Sequence, residues 1–269
     1  MGLTALFGMT DRETSRGGAK WGITFHICNK TNTCPIAYAV RVFKPERIDE
    51  NPATFHARAF DTTPLDAGGA MWVPSLQTAK TLVLGSSQPE ATVDAAYLEQ
   101  ANIGIARRRS GGGAVLVSHD DIVWFDIITD RTHPHWDDDV VRSFEWLGLA
   151  CQRALTSLGI DTEMHTGRLI TSPWSSTICF AGIGPGELVI DSGTTTRKVV
   201  GISQRRTRDR ARFQVAILRR WSGTEHASML ALSPAERVEA SAALDSSAVG
   251  VTASPDALLT HIETELNRS

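Results

Sequence analysis

The sequence predicts an α+β domain in which a mixed, largely antiparallel sheet is flanked by helices. Short apolar strand patterns follow one another across glycine turns, instead of alternating strictly with helices. One long amphipathic helix pattern lies in the middle of the chain, and two more helix patterns close it. This order of elements is typical of α+β domains.

Composition is that of a soluble globular protein. The 269 residues are 42% hydrophobic and 21% charged, which argues against bulk disorder and allows a core that needs no metal or disulfide. No apolar run approaches the roughly 18 to 20 residues needed to cross a bilayer. The opening MGLTALFGMTDRE lacks the basic stretch and apolar core of a leader. We therefore expect a cytoplasmic protein with no membrane partner.

The first 52 residues differ in composition from the rest, with enriched lysine and two close cysteines, Cys28 and Cys34. We predict that residues 1–52 form an N-terminal extension of uncertain order, with two possible short strands, ITFHI and IAYAVRVF. The main domain is expected to span residues 53–269, including the C-terminal helices.

The first half of the main domain contains four predicted strands and a helix. TLVLGSSQ predicts a strand, and a helix is expected to begin near Pro89 and end at Gly104. The segment IGIARRRSGGGAVLV then predicts strand, glycine turn and strand. DDIVWFDIIT alternates well enough to be a further strand.

The clearest predicted helix begins at the acidic residues 137–139 and ends at Gly159, with apolar residues at steps of three and four. Cys151 lies on its apolar stripe and is expected to be a core thiol. Strands are predicted at ELVI, KVVGIS and RFQVAIL, and helices at Pro234 to Ala243 and Pro255 to Leu266.

The four cysteines form no CxxC pair and no zinc-ligand spacing, so free thiols are expected. His133 with Asp137, Asp138 and Asp139 could suggest a metal cluster, but acidic residues at a helix start are ordinary capping. The metal ligands are left unknown.

Lysine is rare where arginine is common. The chain has 22 Arg and five Lys, and from residue 81 onward it has 17 Arg and one Lys, Lys198. A compact point charge is favoured where the planar fork of arginine does not fit. Residues 197–220 carry eight Arg and one Lys against one acid, so this strip is expected to meet an anionic ligand or partner. A nucleic-acid binder is the alternative from another class, but no aromatic residues are interleaved with the strip, and no nucleic acid is expected.

Two short motifs predict a binding site. In RRRSGGGAV, three consecutive glycines at 111–113 let backbone amides approach a carboxylate or polyanion without obstruction by a Cβ. In RKVVGISQ, Lys198 starts a strand in which Gly201 lets the backbone pass close to a ligand. Alone, the glycine motif favours a flexible hairpin turn with solvated arginines, and the lysine motif is only a weak indication of a site.

Together, and about 85 residues apart, these motifs resemble the lipoate-protein ligase and octanoyltransferase family. The resemblance covers roughly residues 80–220 and includes TLVLGSSQ, the CF at Cys179 and Phe180, and ELVI. It implies a fold like biotin-protein ligase and the class II aminoacyl-tRNA synthetase core. It also implies that lipoate or octanoate is activated with ATP and Mg²⁺ and transferred to a lysine of a lipoyl domain.

The resemblance assigns roles to particular residues. Lys198 would contact the acyl carbonyl and the phosphate as the catalytic lysine, and Gly201 would allow close approach. The acyl-adenylate would be bound by the loop residues Arg108, Ser110, Gly111, Gly112, Gly113 and Ala114.

Cys179 leaves a second activity open. Octanoyltransferases of this family that carry a nucleophilic cysteine in a CF context take the acyl group from acyl carrier protein through a thioester, without ATP. The other interpretation is a small apolar strand residue that faces the pocket. The SGGGAV loop favours the ligase, and we take the ligase as the first hypothesis. The chain departs from the ligases at VLVSHDDIVW, where Trp124 replaces a small polar residue, and at RFQVAIL, so the resemblance assigns no metal ligand.

Overall fold

The computed structural model describes residues 43–65 and 68–268, and the backbone of two short strands before them. These are β1 (Thr24–Phe25) and β2 (Tyr38–Ala39), which pair antiparallel. They fall within the two strand patterns predicted for the N-terminal extension. Lys20, Lys30, Cys28 and Cys34 lie outside the described residues.

A seven-stranded sheet is the main scaffold, and only one of its strand pairs is parallel. Its strands, from one edge to the other, are β3 (Pro45–Ile48), β4 (Gly69–Pro74), β8 (Ile122–Asp130), β12 (Arg210–Leu218), β11 (Thr196–Arg206), β10 (Leu188–Asp191) and β9 (Glu163–Met164). A second sheet has three strands in the order β6 (Gly104–Arg107), β5 (Thr81–Leu84) and β7 (Val115–Val117). The mixed, largely antiparallel α+β fold is therefore confirmed.

In the part of the chain that the structure describes, six helices flank the sheets. They are α1 (Pro52–Ala57), α2 (Ala95–Gln100), α3 (Glu145–Ser157), α4 (Gly223–Ser228), α5 (Pro234–Asp245) and α6 (Pro255–Leu266). Each of the last two begins with proline after a serine whose hydroxyl accepts an amide hydrogen bond, as their sequence predicts. Among the described residues, no helix is long and apolar enough to span a membrane.

Three apolar clusters hold these layers together. The first lies between one face of the large sheet and α3 and α6, and it contains Cys151, whose thiol pKa is raised to about 12 by burial. The second lies between the two sheets, and the third between the small sheet and α4 and α5. Strand β8 shows the arrangement: Phe125 packs in the first cluster and Trp124 in the second, because side chains alternate across a sheet.

Two predicted helices begin later than expected. The segment from Pro89 to Gly104 forms a 3₁₀ turn (Glu90–Thr92) and only then α2, because the carboxylate of Asp94 accepts the amide of Tyr97 and caps a new helix. Similarly, the carboxylate of Asp139 accepts the amides of Val141 and Arg142, so the acidic run forms a turn and α3 begins only at Glu145. The prediction that Asp137 to Asp139 start this helix is wrong.

The large sheet also includes β3, which lies within residues 1–52, the predicted N-terminal extension. Strand β3 pairs parallel with β4, and Phe43 is buried in the first cluster. Strands β3, β4 and β9 and helices α1 and α4 were not predicted, since each is short or lacks a clear apolar period.

Candidate active site

The glycine loop connects β6 to β7 and is braced from beneath by Arg108. This side chain is only 2% exposed. Its guanidinium donates to the carbonyl oxygens of Gly111 and Gly113 at 2.6 and 2.8 Å, to Ser110 Oγ at 3.0 Å and to the carbonyl of Val83 at 3.1 Å. The interpretation of this run as a turn with solvated arginines is therefore wrong for Arg108, which is the internal support of the loop.

Because Arg108 draws the loop carbonyls inward, the glycine amides are left available. Within the described part of the chain, the amides of Gly111, Gly112 and Gly113 donate to no protein acceptor. Gly111 and Gly112 are exposed, and Gly112 has a φ of +93°, which favours glycine. Consecutive free amides in such a turn form an anion-binding concavity.

The loop rests on the segment that carries Cys179. The amide of Ala114 donates to the carbonyl of Thr177 at 2.7 Å, and the amide of Cys179 donates to the carbonyl of Ala114 at 3.0 Å. A Cβ on Gly113 would lie 2.6 Å from the amide nitrogen of Ile178, so glycine is required there for the two segments to pack. These contacts fix the position of Cys179 relative to the loop.

Cys179 is a free, partly exposed cysteine at the start of a 3₁₀ turn, Cys179–Ala181. A Cβ on Gly112 would lie 3.7 Å from its Sγ and 3.0 Å from Nη2 of Arg108. The thiol therefore faces the exposed part of the glycine loop, beside the buried guanidinium.

Lys198 holds the same segment from the opposite side. Its ammonium is 2.7 Å from Oε2 of Glu187 and donates to the carbonyl oxygens of Cys179 and Gly182, both at 3.0 Å. The residue is 1% exposed, and its ammonium lies 5.0 Å from the centre of the Phe180 ring. An ammonium has three donors, so these contacts use all of them.

A β-bulge explains how Lys198 reaches this position. The pairing of β10 with β11 shifts between Leu188 and Val189, which leaves one extra residue in β11. Val199 and Val200 both pack in the first apolar cluster, and Lys198 meets Gly201 on the other face. A Cβ on Gly201 would lie 3.2 Å from Cε of Lys198, so glycine gives the lysine side chain its room.

The site contains three buried cations, and one of them has no carboxylate partner. Lys198 pairs with Glu187, and Arg212 pairs with Asp126. Arg108 forms no ion pair with any residue that the structure describes. Burial lowers the pKa of Arg108, and the charge of Cys179 opposes that effect. An unpaired buried cation favours an anion beside it, which is a thiolate or a bound substrate group.

A polar network behind the loop joins it to the large sheet. Ser110 Oγ donates to Oε1 of Gln214 at 2.7 Å and lies 2.9 Å from Ser203 Oγ. The amide of Gln214 lies 3.3 Å from Oδ2 of Asp126 and 3.4 Å from Nδ1 of His56. Burial, with Arg212 and Arg108 nearby, lowers the pKa of His56 to about 3.

Sequence reasoning missed Glu187, Asp126 and His56. Glu187 follows the GPG turn, where a carboxylate normally faces solvent. Its role as the partner of Lys198 could have been suggested only by the need of a buried lysine for a carboxylate. In residues 43–65 and 68–268, no group of three or more His, Cys, Asp or Glu side chains is placed to hold a metal ion. Asp137 is instead bonded to Arg142, at 3.0 Å.

Curated relatives of the chain are octanoyltransferases. The octanoyltransferase LipM of Moorella thermoacetica is 33% identical over 89 residues, which are 33% of this chain and 32% of the relative. The octanoyltransferase LipM of Brevibacillus brevis is 29% identical over 115 residues, 40% of this chain and 39% of the relative. These matches span only about a third to two fifths of the relatives.

A similar solved structure comes from an archaeal lipoylation system, described as a bipartite lipoate protein ligase and its E2 lipoyl domain from Thermoplasma acidophilum. Its TM-score is 0.63 at 16% identity, covering 84% of this chain and 82% of that one, and this likeness shows the fold. The sequence profile of the lipoyl protein ligase A/B catalytic domain matches residues 72–263, which include the glycine loop, Cys179 and Lys198. The chain therefore belongs to the lipoyl protein ligase A/B catalytic domain family.

Proposed function

We propose that the chain is an acyltransferase that moves an octanoyl group from a carrier thioester to a lysine of a lipoyl domain through a thioester on Cys179. The observation that carries this proposal is the position of the thiol. It faces the free amides of the glycine loop and lies beside Arg108, a buried cation without a carboxylate partner. A nearby cation stabilises the thiolate, which is the nucleophilic form of cysteine.

The first half-reaction transfers the acyl group to the enzyme. The Cys179 thiolate attacks the carbonyl carbon of the donor thioester, and negative charge develops on the carbonyl oxygen. In our proposal the free amides of the glycine loop donate to that oxygen, which is typically worth about 10²- to 10³-fold in rate for one donor. The intermediate collapses, the carrier thiolate leaves and takes a proton from solvent, and the acyl group remains on Sγ.

In the second half-reaction, the neutral amine of the acceptor lysine attacks the Cys179 thioester. The carbon–sulfur bond breaks, the cysteine leaves as a thiolate, and the nitrogen loses a proton to solvent as the amide forms. The donor thioester supplies the activation, so ATP takes no part.

Three residues position these groups in our proposal. Lys198 and Glu187 hold the carbonyl of Cys179, and Arg108 turns the loop carbonyls away from the site. Since all three donors of Lys198 are used, a direct contact of this ammonium with substrate would require one of these bonds to open. That requirement is why we prefer the transferase to the ligase that the sequence alone favoured.

The ligase is the second candidate, and the same free amides support it. In that activity they would bind the phosphate of an acyl-adenylate made from free lipoate or octanoate with ATP, and a magnesium ion would accompany the nucleotide. The described carboxylates near the loop are already paired, Glu187 with Lys198 and Asp126 with Arg212, so they offer no clear ligand for that ion.

The test supplies each donor separately. The full chain is incubated with a lipoyl domain and octanoyl-acyl carrier protein without ATP, or with octanoate, ATP and Mg²⁺, and products are read by mass spectrometry. We expect transfer only from the carrier thioester, an octanoyl mass on Cys179 that hydroxylamine removes, and loss of transfer in Cys179→Ser. Transfer that requires ATP and survives Cys179→Ser would establish the ligase and contradict our proposal.

A further inference from the structure

Two arginines at the glycine loop differ from their neighbours. Most arginines nearby donate hydrogen bonds from their guanidinium groups to other residues of the protein. Arg107 donates to the carbonyls of Gly85 and Gln88. The others that donate in this way are Arg108, Arg206, Arg210 and Arg212. Arg109 and Arg205 are exposed, and their guanidinium groups bond to no residue in the described part of the chain, which is also true of Arg208 in the turn after β11.

These two arginines flank the glycine loop. Arg109 directly precedes Ser110, whose buried hydroxyl lies 2.9 Å from that of Ser203 in β11. Arg205 follows Ser203 by two residues in the same strand, so it shares the face of the sheet on which the loop rests, about 7 Å further along. Both exposed arginines therefore belong to segments that meet at Ser110 and Ser203, and we infer that they mark the approach to Gly111 and Gly112.

The two protein substrates of the proposed reaction bring different groups to this approach. The acceptor inserts a lysine side chain, which two arginines would repel. The donor is an acidic carrier protein, and its thioester arm is attached through a phosphodiester. Charge complementarity of this kind speeds the encounter of partners and selects between them.

We propose that Arg109 and Arg205 form the docking surface for the acidic carrier protein that donates the acyl group. This inference rests on the proposed acyl transfer to Cys179. It adds the partner that these arginines recognise and separates the donor from the acceptor.

The experiment compares two donors in the full chain. Octanoyl-acyl carrier protein presents the acidic surface and the phosphodiester, whereas octanoyl-pantetheine has the same thioester and neither charge. For the double variant Arg109→Glu/Arg205→Glu, we expect KM for the carrier to rise by about tenfold or more and its salt dependence to disappear. KM for octanoyl-pantetheine and for the lipoyl domain should stay within about twofold.

Two variants serve as controls. Arg220→Glu reverses an exposed arginine beyond the far end of β12 and should leave both donors unaffected. Arg109→Lys/Arg205→Lys keeps the charge and should retain most of the preference for the carrier. Fluorescence anisotropy of labelled octanoyl-acyl carrier protein measures docking without turnover, and the charge-reversed variant should bind at least tenfold more weakly.

Three results would overturn the docking surface: unchanged carrier affinity in the charge-reversed variant, an equal rise in KM for octanoyl-pantetheine, or a rise confined to the lipoyl domain. Failure of the wild-type chain to use either thioester would instead contradict the acyl transfer, while the anisotropy measurement still decides the docking.

Discussion

The ammonium of Lys198 donates to the carbonyl oxygen of Cys179 at 3.0 Å, so the lysine holds the backbone from which the proposed nucleophile projects. The same ammonium pairs with the buried carboxylate of Glu187. A substitution of Lys198 therefore affects both the position of the Cys179 thiol and the pairing of the Glu187 carboxylate.

We predict that Lys198→Ala lowers acyl transfer by at least about 10²-fold. It should also destabilise the protein by about 3–5 kcal/mol, because the carboxylate of Glu187 is left buried without its partner. Urea unfolding and single-turnover transfer measure the two effects separately.

The double variant Lys198→Met/Glu187→Gln is the matched control. It removes both charges, so stability should largely return while transfer stays low. Near-normal transfer in Lys198→Ala would show that acyl transfer does not require Lys198. Lys198→Arg should also fail, since Gly201 leaves room only for the narrow lysine chain.

Substitution of glycine by alanine should have very different effects on stability at different positions of the glycine loop. At Gly113 a Cβ would collide with Ile178, so Gly113→Ala should displace the Cys179 segment, lower the melting temperature and abolish transfer. At Gly111 a Cβ meets nothing within 4 Å, so Gly111→Ala should keep the melting temperature within about 2 °C. Equal melting temperatures for the two variants would contradict this packing.

Cysteine reactivity should differ sharply within the folded protein. Cys179 is partly exposed, whereas Cys151 is fully buried and the pKa of its thiol is raised to about 12. Iodoacetamide at neutral pH should alkylate Cys179 and spare Cys151, and prior incubation with octanoyl-acyl carrier protein should protect Cys179. Peptide mass mapping reads each cysteine separately, and alkylation of Cys151 at a comparable rate would contradict its burial.

His56 should make stability fall in acid. Its pKa is lowered to about 3 in the folded protein, from the ordinary value of 6.5. The unfolded chain therefore takes up a proton first, so the contribution is complete above pH 6.5 and is lost as pH falls from 6.5 towards 3, by up to about 1.4 kcal/mol per pH unit.

Urea unfolding between pH 4.5 and 8 measures this slope. His56→Asn should flatten it, and replacement of the exposed His119 by glutamine should not. An unchanged slope in His56→Asn would show that other groups cause the acid sensitivity.

The sequence predicted the strands and helices whose apolar period is long, together with the pairing of a glycine loop with Lys198. It did not predict contacts that depend on residues distant in the chain. Glu187 gave no local sign of burial, and the resemblance assigned Arg108 to the acyl-adenylate without indicating that its guanidinium is buried under the loop and bonded to the loop carbonyls. The prediction that Asp139 begins a helix was wrong because an aspartate accepts the same backbone amide hydrogen bonds at the start of a turn as at the start of a helix.

The bulge in β11 makes the site dependent on a count of residues as well as on their identity. Side chains in a strand change face with every residue, so inserting one residue between Lys198 and Val199 would turn Lys198 to the apolar face and away from Cys179, although every residue of the site would still be present. A single inserted residue that contacts no substrate would thus silence the enzyme as completely as a change at the lysine itself.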